Sequence, residues 1–145
     1  MIKVQLAYEI EETANLDDVW LNSTCKNILN DNNQDTATIS IILSNDKKLL
    51  KLKKQYFQMD VLTDIITFNL EENGDPIEGE IYISLNRVSE NAREFKQNIE
   101  IELKRVIIHG LLHLLGYDDQ TPKDKKEMTR LEDHYLSQSV LTDQI

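Results

Sequence analysis

Cysteine, proline and glycine are all scarce in this chain. The one cysteine, Cys25, excludes a disulfide framework, so the fold must rest on a buried core, which 145 residues are long enough to form. Cys25 itself is interpreted as a small core residue rather than a nucleophile. With two prolines and four glycines, the chain has no linker or low-complexity segment, and it has no internal repeat. We therefore expect one domain over residues 1–145.

Long apolar runs are also absent. No stretch reaches the roughly 18 to 20 apolar residues that a membrane span requires. The first residues, MIKVQLAYEIEE, have neither the charged start nor the long apolar stretch of a secretion signal. The sequence therefore predicts a cytoplasmic protein that makes no membrane contact.

Positive charge is in short supply, since 16 Lys and Arg face 26 Asp and Glu, which gives a net charge of -10. The imbalance is uneven: residues 60–80 contain no Lys or Arg, whereas lysines are dense between residues 47 and 54. On a helix, Lys47, Lys51 and Lys54 would share one side. Two interpretations stay open for this helix: a solvated amphipathic surface, or a basic strip that binds RNA phosphates despite the global charge.

Four segments have the alternation or the β-branched composition of strands, namely residues 2–8, 36–43, 64–70 and 79–84. The first three alternate with helical segments, whereas only a turn around Gly74 and Pro76 separates the last two. Parallel strands need long crossovers, and a short turn joins an antiparallel pair. We therefore predict an α+β fold in which a small four-stranded mixed sheet packs with helices.

The segment of residues 98–115 has the most apolar helical pattern in the chain. Its aliphatic residues cover most of the helix circumference: Ile99, Leu103, Val106, Ile107, Ile108, Leu111, Leu112, Leu114 and Leu115. Such a helix is expected to be buried through the middle of the domain. A single polar stripe interrupts it, formed by Glu102, Arg105, His109 and His113. Gly116 is predicted to end the helix in the left-handed conformation, and Thr121 and Pro122 to begin the next one.

The two histidines of this stripe have the spacing of metal ligands. Side chains at positions i and i+4 of a helix meet at one point, as His109 and His113 would, and a chain reversal at Gly116 can bring Asp119 to the same point. The spacing matches the zincin ladder H-E-x-x-H-x-x-G-x-x-H, with Gly110 in place of the glutamate and Asp119 in place of the last histidine. Three protein ligands leave a fourth position for water, which is typical of catalytic zinc. The alternative is a pair of core histidines beside a turn.

Three segments resemble the YbeY family of bacterial endoribonucleases. The stretch HGLLHLLGYDD is similar to the family signature H-G-x-L-H-L-x-G-Y-D-H, DVLTDIITF to D-x-P-T-D-V-L-S-F, and GEIYISLNRV to G-D-I-x-I-S-x-x-x-V. The resemblance covers roughly residues 35 to 135. It implies an α+β fold with a four-stranded mixed sheet, one zinc ion per chain in a cleft beside it, and single-stranded RNA as substrate. It further implies ribosomal RNA processing in small-subunit maturation or quality control, with small-subunit proteins or an assembly GTPase as partners.

Two residues depart from the family pattern. Asp119 stands where the third family histidine would be, and its oxygen can still bind zinc at about 2.0 to 2.2 Å. Phe57, after Tyr56, stands where the family usually has an arginine, and phenylalanine cannot bind a phosphate. Metal binding by His109, His113 and Asp119 is therefore expected to persist.

The position of the usual general base is glycine here, so another acid is needed. Asp118, Asp64 and Glu80 are the candidates, with Asp118 ranked first because it is nearest in sequence to the metal ligands. His134 lies between polar neighbours, Glu132 and Asp133 on one side, and is interpreted as a surface residue.

Three functions are compatible with these residues. The first is a zinc-dependent endoribonuclease in which Lys47, Lys51 and Lys54 contact RNA. The second is a ribosome assembly factor with a mainly structural metal. The third is a metalloprotease, against which the missing base glutamate argues.

Overall fold

The computed structural model describes residues 1–143, with side chains described as far as Gln138. In chain order the elements are β1 (Ile2–Tyr8), α1 (Asp18–Asp31), β2 (Ala37–Ser44), α2 (Asp46–Phe57), β3 (Ile65–Asn69), β4 (Ile77–Ser84), α3 (Leu85–Glu94), α4 (Ile99–Leu114) and α5 (Pro122–Asp143). None of the described helices has the length and hydropathy needed to cross a bilayer.

The four strands form one mixed sheet in the order β1-β2-β4-β3. Strands β1, β2 and β4 are parallel, and β3 pairs with β4 in the antiparallel direction. The predicted α+β fold with a four-stranded mixed sheet is therefore confirmed. The hairpin that joins β3 to β4 places β3 at the edge of the sheet, with β4 as its only strand neighbour in the described chain.

Helices cover the two faces of the sheet unequally. On one face, buried residues of α1, α4 and α5 pack against β2 and β4 and form the main core. On the other face α2 buries Leu49 and Leu52 against Ile66 of β3. This leaves the opposite side of α2, with its lysines, toward solvent, as the amphipathic pattern predicts. Cys25 lies in the main core, where burial raises the pKa of its thiol to about 12, and this agrees with a packing role.

Helix α4 passes beneath β3 and β4, and its apolar pattern is borne out from Leu103 onward. Its first turn differs from the prediction, because Ile99 is 43% exposed. Gly110 permits the close approach of helix and sheet: a Cβ at this position would lie 2.6 Å from Ile65 Cδ1 and 3.0 Å from Ile81 Cγ2. Position 110 therefore faces the sheet, and a side chain there would have to displace the methyl ends of Ile65 and Ile81.

The end of α4 follows the predicted chemistry. Gly116 has a φ of +101°, its N–H donates to the carbonyl of His113, and the N–H of Tyr117 donates to the carbonyl of Leu112. This reversal is the glycine-capped helix end that relieves the last carbonyls. Helix α5 then begins at Pro122 after Thr121, whose hydroxyl accepts from the N–H of Asp124. The loop between the two helices thereby folds back toward the histidines.

Candidate metal centre

Three side chains converge where the loop meets α4. Asp119 Oδ2 lies 3.3 Å from His109 Nε2 and 3.3 Å from His113 Nε2, and the two nitrogens are 2.9 Å apart. Ligand atoms that hold one zinc ion tetrahedrally at about 2.0 to 2.1 Å are about 3.3 to 3.4 Å from one another. The three predicted ligands therefore form a group that could hold a metal ion, with the two nitrogens a few tenths of an ångström too close.

The hydrogen bonds of the two imidazoles decide which nitrogens can bind a metal. His113 Nδ1 is 3.0 Å from the carbonyl oxygen of Tyr117, which can only accept, so this nitrogen carries a proton. His109 Nδ1 is 2.6 Å from Glu132 Oε2, and an ionised carboxylate likewise requires a donor. In neutral imidazoles both Nε2 lone pairs then point at each other across 2.9 Å. A proton on one Nε2, or a cation bound by both nitrogens and Asp119, removes this repulsion, so the donor set can accept a divalent metal.

The loop after Gly116 positions the third ligand. Asp118 is exposed, and its Oδ1 accepts a hydrogen bond of 2.8 Å from the backbone N–H of Asp119. This turn fixes the direction in which the Asp119 side chain leaves the backbone. Asp118 thus contributes to the shape of the site, while its own carboxylate lies toward solvent.

Glu132 supports the centre from α5 and was missed by the sequence prediction, which interpreted its surroundings as polar surface. It is only 7% exposed, it accepts from His109 through Oε2, and its Oε1 accepts from Arg105 Nη1 at 3.0 Å. A carboxylate that accepts from a histidine ligand fixes the tautomer and the ring orientation. The signal was present in the sequence, because Met128, position 132 and Tyr135 share one helical face and the other two are apolar.

The local charges shift the pKa of His109 upward. Burial alone would lower it, but the hydrogen bond with Glu132 and the negative charges of Glu132, Asp119 and Asp64 together outweigh burial. A proton and a metal ion therefore compete for the imidazole of His109, and metal affinity should fall as the pH is lowered.

Asp64 is the other predicted acid that the fold brings to the centre. It lines a cavity of about 250 Å³ together with His109, Arg105, Glu102 and Glu132. Burial raises the pKa of Asp64 above its ordinary value, and the nearby His109 and Arg87 lower it in part. The carboxyl of Asp64 is thus nearer to protonation than that of an exposed aspartate.

The remaining candidates lie elsewhere. Glu80 pairs with Phe68 on the face of the sheet covered by α2, away from the histidines. His134 is exposed, and its Nε2 is 3.2 Å from Gln138 Nε2, so it stands outside the group that could hold a metal. The sequence interpretation of His134 as a surface residue agrees with its exposure.

The lysines of α2 are placed on its outer side. Lys47, Lys51 and Lys54 are exposed and line one shallow depression with Leu50 and Gln55. Lys54 also lies 3.6 Å from Asp60, in an exposed ion pair. Pairs of this kind contribute only about 0 to 1 kcal/mol, so the lysine can exchange this partner for a phosphate.

Comparison with known proteins assigns the chain to a family. The sequence profile described as Endoribonuclease YbeY matches residues 5–140. The chain belongs to the YbeY family. It is 41% identical over 133 residues to the Endoribonuclease YbeY of Flavobacterium psychrophilum, with 92% of this chain and 94% of that protein covered. With the Endoribonuclease YbeY of Amoebophilus asiaticus it shares 43% identity over 110 residues, which cover 76% and 75% of the two proteins.

A solved structure has a similar fold. The solution structure of a protein from Thermotoga maritima superposes with a TM-score of 0.63 at 32% sequence identity, covering 96% of this chain and 89% of that one. The family resemblance inferred from three sequence segments thus extends over nearly the whole chain, since the profile matches residues 5–140.

Proposed function

We propose that this chain is a zinc-dependent endoribonuclease that acts on single-stranded RNA in ribosomal RNA processing and small-subunit maturation or quality control. The observation that carries the proposal is the convergence of His109, His113 and Asp119 in a chain of the endoribonuclease family. The histidine side chains are 24% and 26% exposed, so a phosphodiester can reach them from solvent. One zinc ion per chain is the cofactor that this ligand set suits.

When bound, zinc supplies a water of lowered pKa and a positive charge against a phosphoryl oxygen. Phosphodiester hydrolysis also needs a group that takes or gives a proton. Asp64 suits this role better than Asp118, because it shares a cavity with His109 and its pKa is raised, whereas Asp118 is exposed and bonded within its turn. We assign Asp64 as the proton-transfer group and keep Asp118 as the second candidate.

The lysine strip of α2, formed by Lys47, Lys51 and Lys54, is proposed to bind the phosphates of the RNA. Its three ammonium groups are exposed on one side of the helix, while the opposite side is anchored on the sheet. Screening limits the repulsion by the net charge of -10 to about 8 Å at physiological salt, so local lysines can dominate contact.

A metalloprotease is disfavoured by Gly110. In the zincin ladder the base glutamate occupies this position, yet here a Cβ would already lie 2.6 Å from Ile65. A ribosome assembly factor with a structural metal remains the second candidate. Phe57 favours it, because its ring stacks on Phe68 at 6.0 Å and offers no donor to a phosphate.

The partners and location proposed here follow from the family resemblance. Ribosomal RNA is the proposed substrate, and small-subunit proteins or an assembly GTPase are the proposed partners. The proposed location is the cytoplasm.

The decisive experiment measures cleavage of an end-labelled single-stranded RNA by the purified protein after chelation and after return of zinc. We expect cleavage to stop with the chelator and to resume with zinc. His109→Ala should lose both tight zinc binding and cleavage, whereas Asp119→His should keep the metal. A zinc-loaded protein that leaves RNA intact would favour the assembly factor, and zinc binding of full affinity by His109→Ala would refute the ligand assignment.

A further inference from the structure

Strand β3 presents an open edge of the sheet. Two backbone hydrogen bonds to β4 lie just beyond the two ends of β3. The N–H of Ser84 donates to the carbonyl of Asp64, and the N–H of Leu70 donates to the carbonyl of Glu78. Antiparallel strands alternate between residues that bond their neighbour and residues that point away. The main-chain groups of Ile65, Thr67 and Asn69 therefore point outward. Among these residues the carbonyl of Ile65 accepts from the hydroxyl of Thr63.

Apolar side chains are exposed at both ends of this edge. Val61 and Leu62 precede β3 with exposed fractions of 48% and 52%, and Leu70 follows it at 51%. An edge strand flanked by exposed apolar residues is a template on which another extended chain can pair. Proteins usually protect such an edge with lysine, proline or a bulge, and residues 60–70 contain none of these.

The charge of the edge indicates the occupant. Residues 60–80 contain no Lys or Arg and carry acids before and after the strand: Asp60, Asp64, Glu71, Glu72, Asp75, Glu78 and Glu80. Of these, Asp60 pairs with Lys54 of α2. Such a field attracts a basic chain. A polypeptide, unlike RNA, also has the backbone amides that would continue the ladder. The open edge and the charge therefore both favour a basic polypeptide.

We propose that the open edge of β3 is the docking site for an extended basic segment of a partner protein, which pairs with it as a fifth strand. The segment alternates Lys or Arg with apolar residues. Its main chain exchanges hydrogen bonds with Thr67 and Asn69, its apolar side chains meet Val61, Leu62 and Leu70, and its cations meet the flanking carboxylates.

The position of β3 connects this docking site with the metal centre. Ile65 lies against Gly110, and Asn69 Nδ2 donates to the carbonyl of Leu114 at 3.0 Å. The strand therefore runs along the same turn of α4 that presents His113. A docked fifth strand would continue the sheet beyond β3, next to the turn of α4 that carries His113. This turn lies on the face of the sheet opposite α2 and its lysines.

Fluorescence anisotropy with a labelled peptide that alternates Lys and Val tests the proposal. We expect saturable binding to the full chain, without dependence on zinc or on RNA cleavage. Thr67→Pro removes one outward N–H without removing a bond to β4, and proline is tolerated at such edge positions, so we expect binding to weaken at least roughly tenfold. Thr67→Val is the matched control, because it keeps the main-chain donor, and should bind like the wild type.

Two further peptides keep the test informative if Thr67→Pro fails to fold. The first is the same peptide N-methylated at alternate residues, which lacks the main-chain donors that would face β3. The second has Glu in place of Lys and therefore a negative charge. Both peptides should bind the wild-type chain weakly. Equal binding of the methylated and unmethylated peptides would overturn the strand-pairing proposal. A second outcome would also overturn the proposal: the basic peptide binds neither the wild type nor Thr67→Pro, while single-stranded RNA binds the wild type and loses affinity for Thr67→Pro.

Discussion

At the scale of single residues, Glu132 shows how a buried carboxylate directs a metal ligand. It accepts from His109 at 2.6 Å, and Arg105 neutralises its other oxygen at 3.0 Å. Arg105 in turn bonds Asp133 at 2.7 Å. The nitrogen of His109 that would face the metal is thus set by a contact on the far side of its ring.

Glu132→Gln should therefore weaken zinc binding by roughly 10- to 100-fold, the usual effect of losing the partner of a metal-ligating histidine. Competition against a chromophoric zinc chelator measures this change. Glu127→Gln is the matched control on the same helix, since Glu127 is exposed and pairs with Arg130 at 2.6 Å. Equal zinc affinities of the two variants would contradict the role of Glu132.

At the scale of elements, the packing of α4 under the sheet depends on Gly110. Because it has no side chain, β3 and β4 can approach the helix closely. This approach brings His109, on the neighbouring face of α4, into one cavity with Asp64. Glycine inside a helix normally costs about 1 kcal/mol relative to alanine, so this close packing must offset that cost.

Gly110→Ala should consequently lower the free energy of unfolding by about 1 kcal/mol, because overpacking of about 2 kcal/mol exceeds the gain in helix propensity of about 1 kcal/mol. Urea unfolding followed by circular dichroism measures the difference. Gly110→Glu should be more destabilising still and should not create peptidase activity. An alanine variant more stable than the wild type would show that the sheet leaves room at this position.

The sequence predicted those features of α4 that are local along the chain. His109 and His113 are one turn apart, and the cap at Gly116 and the start at Thr121 follow from nearby residues. Glu132 could not be assigned in the same way, since its contact with His109 spans 23 residues and depends on how α5 packs on α4. The exposure of Ile99 was likewise a matter of tertiary packing, which helical periodicity alone does not determine.

At the scale of the whole molecule, opposite charges are separated onto different surfaces. The lysines of α2 lie on one side of the sheet, and residues 60–80, which include the edge strand β3, carry seven acids and no Lys or Arg. The net charge of -10 is therefore not evenly distributed over the surface. The lysines of α2 can attract RNA, while the acids of residues 60–80 can attract a basic partner.

Replacing Lys47, Lys51 and Lys54 together with glutamine should weaken RNA binding and reduce the slope of log K against log salt by roughly 2, at about 0.7 per phosphate contact. Filter binding over a salt series measures the slope. Lys3, Lys26 and Lys96 are also exposed, and the corresponding triple variant changes the net charge equally on other surfaces. If both variants gave the same slope, the α2 lysines would have no special role in RNA binding.

The contact between Glu132 and His109 links metal binding to the stability of helix α5 and hence to proteolytic resistance. Tyr135 bonds Asp31 at 2.8 Å, so α5 is attached to the body through α1 as well as through the histidine. A ligand that binds only the native state stabilises it by about 2.7 kcal/mol at 100 times its Kd. We expect amide hydrogen exchange in residues 122–138 to slow when zinc is added and to remain fast if metal and α5 are independent. If exchange slows in this way, chains without bound metal should be cleaved faster by added protease, because their helix α5 opens more often.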